Sequence, residues 1–293
     1  MASAPDGGQT GPEQSLRKRP PAAATTSGHS SLVLHELGAL LTIAQRDLTK
    51  LLRDRVRLGV SLAFPILLIA GLGSTLQAMV GGRAGGLDVV ALTFTGVLAA
   101  TLFQSAAAGM MSIIEDREND FTRELFVAPV SRLAIVSGKV LGESLVALTQ
   151  GLGVVAFALL FGIRMSPGQL AALVPIALAC CLLGGAFGLA ALAALPNQRA
   201  ALQVFPFVIL PQYFLAGVVA PLRGLPGYLE LLSWLMPLRY PVDLTRAAFY
   251  SGSPAYGQAV TEAPGLDAAV MGTLFVVFLV LGALLFERRE RDL

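Results

Sequence analysis

Long apolar runs alternate with short polar segments along this chain. Residues 89–114 carry no charge and neither do residues 144–163, while residues 115–132, reading EDRENDFTRELFVAPVSR, form a charged island between them. Apolar runs of this length match the roughly 20 helical residues that a bilayer core takes. A scan for such stretches predicts six spans, at about 58–80, 89–114, 143–163, 169–194, 200–219 and 268–286. Within the island, Phe121, Leu125 and Ala128 recur at helical spacing, Arg117, Glu118, Arg123 and Glu124 supply charge, and Pro129 forbids continuation. The pattern predicts a short amphipathic helix held outside the membrane. Before the first span, Leu40, Leu41, Ala44, Leu48, Leu51 and Leu52 form one helical stripe opposite Arg46, Lys50, Arg53, Asp54 and Arg57. Such a helix either lies in the membrane interface or packs on a cytosolic partner. Between spans five and six, Pro221, Pro226, Pro237 and Pro241 cut the chain into short pieces. There Tyr228, Trp234, Leu235, Tyr240 and Phe249 suit half-helices dipping into the outer interface.

Composition fixes the class. Hydrophobic residues make up 55% of the chain and charged ones 14%, too apolar for an ordinary soluble domain, so the expected fold is an all-α integral membrane protein. With the N-terminus inside, 16 of the 21 Lys and Arg residues fall on the inner side, which puts both termini and the charged island in the cytoplasm. The polar N-terminus predicts no cleavable signal peptide. Residues 1–30, rich in Pro, Gly, Ser, Thr and Ala, predict a disordered tail, and residues 31–293 the membrane domain. The adjacent Cys180 and Cys181 lie in an apolar run and read as small packing residues.

Several chemistries are excluded or disfavoured. His29 and His35 precede every span, so no intramembrane hydrolytic dyad or histidine metal site is expected, and no catalytic residue is assigned. A Walker-type phosphate loop is absent: Gly138 and Lys139 are adjacent, but Val140 stands where Ser or Thr belongs and Leu133 where the first Gly belongs. Ion-coupled carriers place carboxylates at membrane depth, whereas Glu143 and Asp267 are expected at span ends, where capping or interfacial solvation accounts for them.

The island residues Glu115, Asp116, Arg117, Glu118, Phe121, Arg123, Glu124, Leu125, Val127, Ala128, Pro129, Val130, Ser131 and Arg132 resemble the pattern E-D-R-E-x-G-F-x-R-E-L-L-V-A-P-V-S-R. That pattern marks the loop between spans two and three in permeases of the ABC-2 type, the family that includes daunorubicin-resistance permeases. Asp120 and Phe126 depart from it, standing where Gly and Leu are usual. A second block, Phe214 to Gly217 followed by Pro221, Leu225, Pro226, Pro237, Leu238, Tyr240, Asp243 and Arg246, resembles the family's F-L-[SA]-G…P…L-P…P-L-x-Y…D…R segment. In this block Gly217 permits close backbone approach, and Asp243 and Arg246 either pair on the surface or contact a second permease.

The resemblance implies a permease subunit in the cell membrane that holds no cofactor itself and works with an ABC ATPase, in two copies, that carries ATP and Mg. It implies a second permease, identical or related, with membrane lipid around the pair and no nucleic acid. Arg117, Glu118, Phe121, Arg123, Glu124, Leu125 and Pro129 then form the ATPase-coupling helix, with Phe121 and Leu125 entering a groove on the partner. Polar and aromatic side chains at membrane depth, Gln150, Gln203, Gln212 and Phe214, are candidates for the substrate pathway or for bonds between helices. Pro206 and Pro211 bend span five, and Gly184, Gly185 and Gly188 suit close helix packing. The expected activity is export of a hydrophobic or amphipathic compound, drug efflux first. The alternatives are a lipid-linked glycan or envelope lipid, an ion-coupled carrier, or a membrane anchor for an ATPase that carries no substrate.

Overall fold

The computed structural model describes residues 55–79, 88–112, 114, 132–192, 195–220, 222, 224 and 226–291. The predicted tail, the greater part of the amphipathic helix before span one and all seven expected coupling residues, Arg117 to Pro129, lie outside the described residues. Every regular element among the described residues is a helix, and none is a strand.

The first hydrophobic helix is made of three joined pieces: α1 (Arg55–Leu67), a π-helical stretch (Leu68–Gly73) and α2 (Ser74–Met79). Pro65 sits inside α1, where it removes one backbone hydrogen bond, and the helix widens three residues later. Next come α3 (Val89–Gly109), capped by the Asp88 side chain accepting from the Ala91 amide at 3.1 Å, then α4 (Arg132–Leu160) and α5 (Pro167–Leu192). Asn197 caps α6 (Gln198–Leu215) in the same way, accepting from the Ala200 amide at 2.8 Å. Three short helices follow, α7 (Gly227–Trp234), α8 (Arg239–Phe249) and α9 (Tyr256–Ala259), before α10 (Pro264–Arg291).

Among the described residues, five helical stretches, 59–79, α3, 137–160 within α4, α5 and 256–285 ending in α10, are long and apolar enough to cross a bilayer. The fifth expected span, 200–219, coincides with α6, which does not reach that standard: its 18 residues include Arg199, Gln198, Gln203, Gln212, Pro206 and Pro211, and these dilute the apolar ones.

α3 is the axis of the bundle. It is buried along most of its length and packs on α5, α4 and α8, while α5 also packs on α10 and α4. Glycine makes the closest of these contacts possible. A Cβ on Gly184 would stand 2.2 Å from the Phe103 carbonyl oxygen and one on Gly188 2.4 Å from that of Ala107, so α5 rides directly on the backbone of α3. At Gly185 the neighbour is a side chain, Val140 of α4, at 3.0 Å. Phe103, Phe187 and Phe278 continue the core across α3, α5 and α10, with ring centroids 5.2 and 5.4 Å apart. Cys180 and Cys181 are free and buried, as their apolar setting predicts.

Both expected span-end carboxylates are placed differently. α4 begins at Arg132, not near residue 143, so Glu143 lies well inside a helix and is buried against α3, where Lys139 one turn earlier offsets its charge. Asp267 does lie in the first turn of α10, but it is fully buried and neither carboxyl oxygen receives a hydrogen bond, so neither solvation nor capping accounts for it. Of the five aromatic and apolar residues expected at an interface, Tyr228, Trp234 and Leu235 are exposed, but Tyr240 and Phe249 are buried. The Tyr240 hydroxyl donates to the Trp234 carbonyl at 2.7 Å and Phe249 packs edge-on against Phe94 at 5.8 Å, so both serve the protein interior.

Candidate functional site

α8 is a short helix whose charges point inward. All of its residues except Leu244 are buried, among them Arg239, Asp243 and Arg246. Burial of charge is tolerated only with partners, and each of these has them. Both Asp243 carboxylate oxygens accept from the Thr261 amide, at 2.9 and 3.1 Å, and one accepts from the Glu262 amide at 2.7 Å. Arg246 donates to the Gly217 carbonyl at 2.5 Å, with the Asp243 charge nearby. Burial draws the Arg246 guanidinium down to about 10, opposed by Asp243, so it keeps its proton at neutral pH. Arg239 donates to the Ser233 hydroxyl and to Glu262 Oε1 at 3.3 Å, and its guanidinium lies 4.2 Å from the centre of the Trp234 ring. Asp267 of α10 completes the cluster beside Asp243, Glu262 and Arg239. The expected surface pairing of Asp243 with Arg246 is corrected accordingly: both are interior groups that hold other segments in place.

Gly217 is where this cluster grips the chain after α6. Its φ of 72° lies in the left-handed region that glycine tolerates, and its carbonyl is turned to Arg246. The next carbonyl, Val218, stands 1.9 Å from the position of a Cβ on Gly96 of α3. The turn after α6 is therefore fixed between α3 and α8. Gln212 adds a second tie, since its side chain accepts from the Leu238 amide at 3.3 Å and donates to the Val208 carbonyl at 3.2 Å. A third, absent from the sequence reading, is the Tyr213 hydroxyl donating to Gln104 Oε1 at 2.6 Å. The lone amide in an otherwise uncharged span was the available signal for Gln104.

The four expected pathway residues are not brought together. Gln150 is buried on α4 and Gln212 is buried at the α6–α8 tie, whereas Gln203 and Phe214 are exposed on α6. Beside these two, Leu202, Val204, Phe207 and Leu210 are also exposed, and Phe207 is 81% accessible. α6 touches the bundle mainly through its inner residues Ala201, Phe205, Ile209 and Gln212, leaving an apolar outer face interrupted by Gln203. At the end of the bundle where α4 passes into α5, a cavity of about 800 Å³ is walled by Asp88, Arg164, Gln169, Tyr250, Ser253 and Phe161 among others. Its polar walls bind one another, as in Gln169 Nε2 donating to the Phe249 carbonyl at 2.5 Å. No group of three or more His, Cys, Asp and Glu suited to a metal occurs among the described residues.

A bundle of long apolar helices, with inward-turned charges tying a short helix to its end, is an integral membrane protein. Residues 38–250 match the model of the ABC-2 type transporter family, and the chain belongs to that family. Its members are the transmembrane components of ABC transporters and function with an ATP-binding subunit. Among relatives, a protein named as transport permease ycf38 from Cyanophora paradoxa is 25% identical over 67% of this chain and 69% of its own length. Nodulation protein J of Rhizobium leguminosarum bv. trifolii is 32% identical over 63% of this chain and 71% of its own. A protein of Escherichia coli strain K12 named as a multidrug ABC transporter permease, YbhR, is 27% identical over 47% and 38%.

Proposed function

We propose that this chain is the permease half of an exporter driven by a separate ATPase, and that it moves an amphipathic compound, in the first instance a drug, out of the cell. The observation that carries this reading is the exposed face of α6, where Gln203 lies among Leu202, Val204, Phe207, Leu210 and Phe214 on a helix with little packing against its own bundle. One amide on an apolar, aromatic face suits a cargo that is mostly apolar with a polar end. In this reading α6 is the fifth of six spans, both termini lie on the cytoplasmic side of the plasma membrane, residues 31–293 form one membrane domain, and a second permease, identical or related, faces α6 across the pathway. Phe121 and Leu125 dock in a groove on each of two ATPase subunits, which carry ATP and Mg, with Arg117, Glu118, Arg123, Glu124 and Pro129 shaping the helix and its rim. ATP-driven closure of the two subunits shifts the spans between inward- and outward-open states.

The relatives do not agree on a cargo in their names, one being called a multidrug permease and another Nodulation protein J. A lipid-linked glycan is therefore the second cargo to test. The experiment is transport of a fluorescent amphipathic drug and of a lipid-linked glycan by proteoliposomes carrying the permease with its cognate ATPase. Native protein is compared with Phe121→Ala/Leu125→Ala and with Gln203→Ala/Phe214→Ala. Loss of ATPase binding in the first variant, and loss of transport with ATPase binding intact in the second, is the expected result. Transport that proceeds without the ATPase would overturn it in favour of an ion-coupled carrier.

A further inference from the structure

α3 and α4 flank residues 115–131 in sequence, and near those attachment points they meet at a buried polar contact. Glu143 of α4 reaches across to α3 into the space that a side chain on Gly109 would fill: a Cβ there would lie 2.0 Å from Glu143 Oε2. The Ser112 hydroxyl donates to the Gly109 carbonyl at 2.5 Å and stands 3.2 Å from Glu143 Oε1. Lys139 Nζ lies 3.6 Å from the same oxygen, and both side chains of this pair are 7% exposed. A buried ion pair is a poor means of stabilising a fold, because apolar residues of like volume generally serve as well or better. Its distinctive property is registry. An apolar helix interface tolerates sliding, whereas a carboxylate seated in a one-residue gap and held by a hydroxyl and an ammonium fits in one position only.

The placement gives that registry a use. A push on residues 115–131 enters α3 from one end of the segment and α4 from the other. If the two helices are keyed together at Gly109, Ser112, Lys139 and Glu143, they tilt as one, and α5 follows through Gly184 and Gly188 on α3 and Gly185 on Val140 of α4. Unkeyed, the same push splays α3 from α4 and is lost.

We propose that Glu143 and Lys139 are positioning residues that lock α3 to α4, so that movement of residues 115–131 is delivered to both helices as a single displacement. This rests on the assignment of that segment as the ATPase docking site. The test uses the reconstituted permease with its ATPase and three readouts: ATPase binding, melting temperature, and the ATP-dependent change in distance between spin labels placed at the exposed positions Leu152 on α4 and Val280 on α10. In Lys139→Met/Glu143→Leu the expected result is unchanged ATPase affinity, a melting temperature within a few degrees of native, and an ATP-dependent distance change reduced at least threefold; Glu143→Gln, which takes the carboxylate charge away from buried Lys139, loses the distance change as well but melts lower. Lys139→Arg, which retains the charge, keeps the native-sized change. Three results overturn the proposal: a native-sized change in both variants, a loss that tracks melting temperature, or no ATP-dependent change in the native complex. ATPase binding that survives Phe121→Ala/Leu125→Ala instead refutes the docking assignment, whatever the Glu143 variants do.

Discussion

Replacing Gly184 with alanine should be far more damaging than the same change one residue later. A Cβ on Gly184 would stand 2.2 Å from the Phe103 carbonyl oxygen and 2.8 Å from the adjoining backbone carbons, none of which can rotate away. Relief requires α5 to back off α3 by about 1 Å, which loosens contacts along the most extensive helix pair of the bundle. Overpacking of this kind costs roughly 1–3 kcal/mol, and alanine's better helix propensity returns about 0.5–1 kcal/mol, leaving a net loss centred near about 1 kcal/mol and reaching about 2.5 kcal/mol. At Gly185 the obstacle is one methyl of Val140 at 3.0 Å, which shifts readily, so the propensity gain roughly cancels the cost. Gly188 meets the Ala107 carbonyl at 2.4 Å on the same face, and the separation that relieves one clash relieves the other. The double variant Gly184→Ala/Gly188→Ala should therefore cost clearly less than the sum of its parts. Denaturant titration in detergent micelles measures all four. A Gly184→Ala protein as stable as native, or a Gly185→Ala protein that is the least stable of the set, would refute the backbone-on-backbone account.

The inward charges of α8 give further predictions. Asp243→Asn exchanges a carboxylate that accepts from the Thr261 and Glu262 amides for a group with one acceptor oxygen, and strands the Arg246 charge; the expected loss is about 2–4 kcal/mol by the same titration. Arg246→Lys keeps the charge but not the planar fork that reaches the Gly217 carbonyl, so it should melt below native, with proteolysis appearing first in the turn after α6. Because burial leaves the Arg246 guanidinium at about 10 and so charged throughout, its contribution should not change between pH 6 and 8.5 in a melting series. Tyr213→Phe removes the hydrogen bond to Gln104 and should cost about 1 kcal/mol, while Gln104→Leu/Tyr213→Phe should recover part of that loss.

Which features were readable from sequence follows from how local their causes are. The five long apolar helices stand close to where hydropathy puts them, since length and composition are properties of one segment. Gly184, Gly185 and Gly188 were readable for the same reason: small residues clustered in an apolar run have few uses besides close approach. A lone charge beside an apolar run predicts a span end, but the interior place of Glu143 depends on Gly109 and Ser112, more than thirty positions away in the chain. Asp243 and Arg246, three apart, suggested a local pair, but their hydrogen bonds go to Thr261, Glu262 and Gly217 through tertiary contacts that no helical spacing encodes. Gln212 and Gln203 look alike in sequence, nine residues apart on one helix, and only the turn of α6 separates an interior tie from an exposed amide.

That separation bears on where a cargo can pass. Several polar groups inside the bundle hold helices together: Glu143 and Ser112 join α4 to α3, Tyr213 and Gln104 join α6 to α3, Gln212 joins α6 to the start of α8, and Arg246 joins α8 to the turn after α6. Moving any of them during transport would require breaking a buried polar contact, at about 1–3 kcal/mol each, so these ties mark parts that travel together. Gln203 belongs to none of these ties and is exposed among apolar and aromatic neighbours on a helix that leaves most of its surface uncovered. In the proposed exporter, a single chain would present half of a surface, and a pathway along α6 would close only against a second permease. On this argument Gln203→Ala should alter which cargo is carried and leave folding unchanged, whereas Gln212→Ala should lower stability and impair every cargo alike. The reverse pattern would place the pathway inside the bundle and reassign the ties as parts of it.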